Sequence, residues 1–331
     1  MVIPIRMAIG RAPGSPDQRS AGPTWTFFHH GVQQMNELAN ELATLSTGWV
    51  VLGGFAFGLL LGSFLNVVIL RLPPRLEWRW REDCRQALAE LEGREAPAPE
   101  APMPPGIVVE RSHCRHCSHR LAAWENIPVL SFVVLRGKCR RCGERISWQY
   151  PAVELLTGIL TAVCVWRFGV SSEALAGIAF TGILVAASGI DLRTTLLPDQ
   201  LTYPLLWLGL LASLAVGGVS PDQAIIGAVV GYLSLWSVYW AFKLLTGKEG
   251  MGYGDFKLLA GLGAWGGVAA ILPIVLMSSL IGAIVGSFWL LARGKGSGTP
   301  IPFGPFLAAA GWVQIIIQPD LLGAYLRWAL A

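Results

Sequence analysis

Apolar residues in this 331-residue chain gather into long uncharged runs instead of alternating with polar ones. The first run, 48–70, holds 23 residues without a charge. At about 1.5 Å of rise per residue, a helix of that length crosses a hydrocarbon core of about 30 Å. Arg71-Leu72-Pro73-Pro74 follows, and its prolines and cation predict a helix stop at the membrane boundary. After Tyr150-Pro151 the chain turns apolar again, with spans predicted near 152–170, 173–190, 200–218, 222–245, 256–272, 273–292 and 301–318. The stretch 256–292 is too long for one crossing, so Gly266-Gly267 and Pro273 predict a turn inside it. The expected fold is an all-α polytopic membrane protein of about eight transmembrane helices.

Two stretches interrupt the apolar pattern. Residues 1–47 are mostly polar, first rich in Gly and Pro and then weakly helical, which reads as a loosely ordered tail. Met35 offers a second start within it, and Met1 to Gly10 is too short and too interrupted by Pro4 and Arg6 for a secretory signal. Residues 71–150 form a long hydrophilic insert between the first span and a membrane core of 151–331. The insert opens with Leu76, Trp80, Cys84, Leu88 and Leu91, one apolar stripe flanked by basic residues. Such a helix suits a membrane surface, with Cys84 packed rather than reactive. The prolines of 96–106 predict an extended linker.

Composition agrees with this division. Hydrophobic residues make up 53% of the chain and charged residues 14%, which points to a membrane protein rather than a large soluble core. A net charge of +4 is too modest to argue for nucleic acid. Lys and Arg then orient the spans: 14 lie in 71–150 and six more lie around 191–200, 243–257 and 293–299, so 20 of 25 share one side. The positive-inside rule puts the insert in the cytosol and the N-terminal tail in the periplasm.

Two carboxylates stand out at the edges of the spans. Asp191 closes the third span in Ser188-Gly189-Ile190-Asp191, and Asp255 sits at the mouth of the sixth in Gly252-Tyr253-Gly254-Asp255. Both map to cytosolic helix ends, hence to similar depth. A carboxylate in a bilayer costs roughly 2.5–3.5 kcal/mol, so such groups are functional by default. Two in contact share a proton, which lets one activate water while the other protonates a leaving amine. From position alone, caps or loop residues explain them equally well, and that is the expected role of Asp199 and Asp222.

Cys114-Arg-His-Cys117 and Cys139-Arg-Arg-Cys142 stand 21 residues apart. Two such turns complete a tetrahedral four-sulfur site with no open position, so a structural zinc is expected. Iron, two disulfides or thiol redox chemistry are the alternatives. His113, His116 and His119 lie close by in sequence.

The segments 191–202 and 252–260 resemble the type IV prepilin peptidases, membrane aspartyl proteases of the G-x-G-D kind. So do Gly62-Ser63-Phe64-Leu65-Asn66, Trp124-Glu125-Asn126-Ile127-Pro128, Tyr150-Pro151-Ala152-Val153-Glu154 and Ile301-Pro302-Phe303-Gly304-Pro305. Presenilin-type relatives carry Tyr before their first Asp, whereas Ile190 stands here. The resemblance implies that Asp191 and Asp255 are the catalytic pair, that the enzyme lies in a bacterial inner membrane with its active site at the cytosolic side, and that prepilins and type II secretion pseudopilins are its substrates. It also implies a second activity, methylation of the new N-terminus from S-adenosylmethionine, with Gly137 and Glu125 as methylation-linked residues. No Rossmann-type glycine fingerprint occurs in 71–150. A transporter with intramembrane aspartates would be expected to show repeated halves, and none is seen. A secretion-system scaffold docking through the zinc module leaves the G-x-G-D segment unexplained.

Overall fold

The computed structural model describes residues 47–95, 98–99, 101–108, 110–293 and 302–318, so the expectation for the tail 1–47 lies, apart from Thr47, outside the described residues. Helix α1, Thr47–Leu91, runs for 45 residues. The stop expected at Arg71-Leu72-Pro73-Pro74 does not occur, because the helix carries both prolines in its interior. Proline removes helix donors, and here α1 is braced from outside across that point. Arg71 donates to the carbonyls of Gly106 and Glu110 at 2.6 and 2.9 Å, Arg75 donates to Pro104, and Trp78 Nε1 donates to Ala101 at 2.9 Å.

The proline-rich segment is therefore extended, as expected, but it is strapped along the helix. Proline lacks the N–H that would let such a strand form its own ladder, so its carbonyls take donors from arginine and tryptophan side chains. The stripe beyond it faces outward: Trp80, Leu88 and Leu91 are exposed. Cys84 is exposed too, which corrects the expectation that it is packed.

After a 3-10 turn (Ala123–Asn126) and the short α2 (Leu130–Val134) come α3 (Gln149–Phe168), α4 (Ser172–Thr194), α5 (Asp199–Ala215), α6 (Pro221–Thr246), α7 (Tyr253–Arg293) and α8 (Gly304–Trp312), which ends in a π turn, Val313–Ile317. Five of these helices, α1, α3, α4, α6 and α7, are long and apolar enough to cross a membrane. The predicted turn in 256–292 is a kink at Gly267, whose φ of 69° and ψ of −177° leave helical space. Glycine tolerates that φ. Pro273, by contrast, lies inside the second part of α7. Strands are absent from the described residues, which contain only two isolated bridges within the insert.

Small residues decide how the helices meet. Gly54, Gly58, Gly62 and Asn66 recur every four residues and form one ridge of α1 against α3. A Cβ on Gly58 would lie 2.7 Å from Thr161 Cβ and 2.8 Å from Gly158 Cα, and one on Gly62 would lie 2.7 Å from Glu154 Cα. Close backbone approach of this kind holds helices together in lipid, where apolar side chains gain nothing by leaving the solvent. The ridge ends at Asn66, whose Nδ2 donates to Tyr150 O at 3.1 Å. A second core forms where Phe180, Leu205, Phe256, Leu262 and Leu307 from α4, α5, α7 and α8 meet. Outward faces carry exposed Phe57, Leu60, Ile159, Leu211, Val229, Leu276 and Ile284, which hydrocarbon solvates. The molecule is an all-α polytopic membrane protein with a small four-cysteine insert.

Gly58→Ala should destabilise the protein by about 1–3 kcal/mol, the usual cost of overpacking, read as a lower unfolding temperature in detergent. Gly53→Ala, which meets nothing within 4 Å, should be neutral or slightly stabilising. Equal effects of the two would argue against the ridge.

Candidate active site and cysteine cluster

Asp191 lies in the last turn of α4, which ends in a left-handed cap at Thr195 (φ 54°). That cap turns the chain sharply into a short loop leading to α5. Asp255 lies in the first turn of α7, after the glycine-rich approach 247–254. Both carboxyls are buried, at 4% and 8% exposure. Asp191 Oδ2 accepts the backbone N–H of Gly304 at 2.9 Å, across 113 residues of sequence. A Cβ at Gly304 would lie only 2.7 Å from that same oxygen, so only glycine lets the amide come so near.

Leu197 joins the two ends. Its Cβ would be 2.6 Å from a Cβ at Gly254, and its Cδ1 3.1 Å from one at Gly304. One side chain thus packs on the neighbour of Asp255 and on the partner of Asp191. Sequence spacing alone left this convergence undecided, since 64 residues separate the two aspartates.

Ion pairs brace both sides. Lys257 Nζ reaches Asp199 Oδ1 at 2.6 Å and lies 5.2 Å from the centre of the Tyr203 ring. That contact ties the first turns of α5 and α7 together, so Asp199 is a bridging residue rather than the simple cap or loop residue expected. In the approach to α7, Glu249 accepts from Lys243 at 2.8 Å, and this hydrogen bond holds the Glu249 carboxyl below its ordinary range. Sequence reading missed Gly304, Leu197 and Lys257. The first and last were visible as a glycine in a Pro-Phe-Gly-Pro turn and as a cation two residues beyond Asp255, but their partners are remote.

The insert builds its four cysteines on two copies of one turn. Cys114 N–H donates to His119 O at 2.9 Å and Cys139 N–H to Glu144 O at 2.8 Å. In the same register, the N–H of Ser118 and of Gly143 each returns to its cysteine carbonyl at 2.9 Å. Ser118 and Gly143 both have positive φ, 55° and 71°. The four sulfurs lie within 4.8 Å of one another, with Cys114 to Cys142 at 3.8 Å and Cys117 to Cys139 at 4.0 Å.

Sulfurs held about 2.3 Å from a central tetrahedral ion stand about 3.8 Å apart, whereas a disulfide needs about 2.05 Å. The spacing thus fits a metal ion and not two cystines. The N–H groups of Cys142 and Arg141 bring the Cys139 thiol down to about 6. Cys142, lowered by the Glu144 N–H, is nevertheless pushed up to about 12 by burial and the neighbouring thiols. Four thiolates at this distance repel one another, and a divalent cation at their centre removes that repulsion.

Glu125 is buried, accepts the N–H of Ala122 at 2.7 Å and faces His119 at 3.4 Å. Gly137, at φ 67°, backs Phe132, to whose Cζ a Cβ would come within 3.1 Å. Glu125 and Phe132 line a cavity of about 440 Å³ between the insert, α1 and α3, whose wall includes neither Asp191 nor Asp255. Glu154 also lines it, accepting the N–H of Val129 at 2.7 Å.

The protein is a membrane aspartic peptidase. Comparison with known proteins agrees. Residues 56–168 match the bacterial peptidase A24 N-terminal domain, and residues 178–287 match the type IV leader peptidase family. A protein of Xanthomonas campestris named prepilin leader peptidase/N-methyltransferase is 58% identical over 272 residues, which cover 82% of this chain and 93% of that protein. Proteins of the same name from Stutzerimonas stutzeri and Pseudomonas aeruginosa are 50% and 49% identical, each alignment covering 84% of this chain and 94% of the relative. No solved structure matches the chain. The chain belongs to the type IV leader peptidase family, and it is a multi-pass bacterial membrane protein.

Elemental analysis of the purified protein should find about one tetrahedral metal ion per chain, zinc foremost. Cys139→Ser should lower that content sharply, since three thiolates leave the fourth position open. Full metal content in Cys139→Ser would exclude Cys139 as a ligand.

Proposed function

We propose that this protein cleaves the short basic leader of type IV prepilins and type II secretion pseudopilins at the cytosolic face of the inner membrane, and methylates the N-terminus so produced. The observation that supports the reading is the burial of Asp191 and Asp255 at helix ends that Leu197 joins, packing on Gly254 beside Asp255 and on Gly304, the partner of Asp191. One carboxylate takes a proton from water as its oxygen attacks the scissile carbonyl, and the other carboxyl gives its proton to the leaving amine. The Gly304 N–H holds Asp191 in one orientation during both transfers. A substrate whose apolar helix lies in the bilayer brings its scissile bond to the rim where these helix ends meet. The cytosolic assignment rests on the 20 Lys and Arg that share one side.

Zinc, held by Cys114, Cys117, Cys139 and Cys142, keeps the insert folded. S-adenosylmethionine, when bound, would supply an electrophilic methyl group: the neutral amine's lone pair would form the N–C bond as the C–S bond breaks, S-adenosylhomocysteine would leave, and the amine proton would pass to water. The relatives' shared name supports this second activity. Gly137 and Glu125 serve it through the insert: one keeps Phe132 in position and the other caps the 3-10 turn.

Asp191→Asn and Asp255→Asn should each lower leader cleavage at least about 100-fold, the scale of general acid–base catalysis, with membrane accumulation unchanged. Gly304→Ala should also cost on the order of 100-fold, since its Cβ displaces the Asp191 oxygen. Cleavage of a prepilin by purified protein is the assay, and near-normal rates in either Asn variant would sink the pair.

The two activities should separate. Cys139→Ser is expected to lose methyl transfer more severely than cleavage, and Asp255→Asn to methylate substrate supplied already cut. Mass spectrometry of the pilin N-terminus distinguishes uncut, cut and cut-plus-methyl species. Fully methylated product from Cys139→Ser, or none from Asp255→Asn with pre-cut substrate, would refute two separate sites.

A further inference from the structure

The segment between the two cysteine turns carries an apolar face left uncovered by the described residues. Ile127, Leu130, Val133 and Val134 are 43, 56, 64 and 61% exposed. Their spacing puts them on one side of the short α2 and of the turn before it. Phe132, on the other side, lines the cavity beneath and lies 4.8 Å from the Trp148 ring. Four large aliphatic side chains on so short an element would be a liability on a water-facing loop.

Depth tells what covers this face. The Val129 N–H donates to Glu154 Oε2 at 2.7 Å, and Glu154 is buried in the second turn of α3. Helix α3 has 20 residues, about 30 Å, which is the hydrocarbon thickness itself. A residue five places in lies about 8 Å below the start of the helix, and a glutamate side chain reaches only part of that way back. The bond therefore pins the segment at the hydrocarbon edge, at the level of Leu155 and Leu156, which are exposed on α3.

The backbone suits that place. Val129 has a φ of 60°, a costly value for a β-branched residue, so the chain reverses there under constraint. Backbone in lipid must find its partners within the protein, and this reversal does. Val129 gives its N–H to Glu154, Ser131 donates to Ile127 O at 3.1 Å, and Val133 donates to Val129 O at 3.0 Å. Flanking the face, Trp124 and Trp148 are exposed, as are Arg136, Lys138 and Arg140. The Arg140 guanidinium stands 5.2 Å from the centre of the Trp124 ring. Tryptophan and cations are the side chains that settle at headgroup level.

We propose that residues 127–134 form an interfacial anchor, seated in the lipid leaflet on the insert's side of the membrane, with Trp124, Trp148, Lys138 and Arg140 at the level of the phosphates. Acyl chains solvate the four aliphatic side chains, as they do the outward faces of α1 and α3. The cysteine module is then held to the bilayer directly, and not only through the helices it hangs from. Glu154 is a positioning residue that keeps the reversal at Val129 closed where water is scarce. Neither the peptidase nor the methyl-transfer reading is needed for this placement.

A phospholipid with a diazirine in the upper half of one acyl chain is the probe, in vesicles of phosphatidylethanolamine and phosphatidylglycerol holding the full-length, metal-loaded protein. After photolysis, mass spectrometry should find label at 127–134 and at Ile159, which faces outward on α3, and none at 113–120. Leu130→Asp combined with Val133→Asp should cut the label at 127–134 at least about fivefold, because carboxylates leave hydrocarbon, with Ile159 labelled as before. Glu154→Leu orphans the Val129 N–H and should cut it at least about threefold, whereas Glu154→Gln keeps an acceptor and should label as wild type. Label at Ile159 but not at 127–134 would overturn the anchor, as would equal labelling of 113–120. Label at 127–134 that appears only in nanodiscs holding a single chain would give the face to a second copy and overturn it too. Equal labelling of the two Glu154 variants would strip Glu154 of its positioning role. The wild-type pattern decides the anchor even where a variant fails to fold.

Discussion

A carboxyl group removed from water among apolar helices needs a donor, a neighbouring charge or a proton, and the helix ends of this protein are arranged around that need. The bond from the Gly304 N–H to Asp191 joins the end of α4 to the start of α8. It forms only because residue 304 has no side chain, and Leu197 fills the space beside it up to Gly254, the residue before Asp255. Three segments far apart in sequence, around 191–197, 254–255 and 304, therefore converge on one small volume. The Lys257–Asp199 pair closes the same region from the outside by tying α5 to α7.

The insert is anchored by a different principle. Glycines four residues apart let α1 and α3 touch backbone to backbone, and the ridge passes directly into Asn66 and Tyr150 at the membrane edge. Above that edge the arginines of α1 bind a proline-rich strap through its carbonyls. The N-terminal family match spans 56–168, which takes in most of α1 together with the insert and α3. Packing explains why those pieces go together: α3 and the insert both hang from α1. A division at 150 follows hydropathy, whereas the helix contact runs across it.

Lipid as solvent explains the otherwise costly surface. Large side chains such as Phe57, Leu60, Leu276 and Ile284 face outward, and they would favour aggregation in water. The break at Gly267 relieves a second constraint, since an unbroken helix of 41 residues would reach about 60 Å at 1.5 Å per residue, twice the hydrocarbon thickness.

Much of this was legible from sequence. Uncharged runs long enough to cross a bilayer, two C-x-x-C pairs, and aspartates at span edges are local signals, each carried by residue type and spacing. Such signals define which segments are apolar helices, which four sulfurs share a centre and which acids are unusual. Where helices continue or bend is less local. Proline marked a stop at Pro73-Pro74 that bracing by the strap overrode, and Cys84 lay on a stripe with nothing to pack against. The partners of the site were not legible at all. Gly304 with Asp191, Lys257 with Asp199, and Asn66 with Tyr150 are each separated by 58 residues or more. Their pairing depends on how closely helices approach, and that distance is set by glycines acting jointly across two chain segments. Local composition specified the helices and the metal ligands; only the packed helices determined which buried polar atoms meet, because a hydrogen bond across the fold exists only once both backbones have arrived.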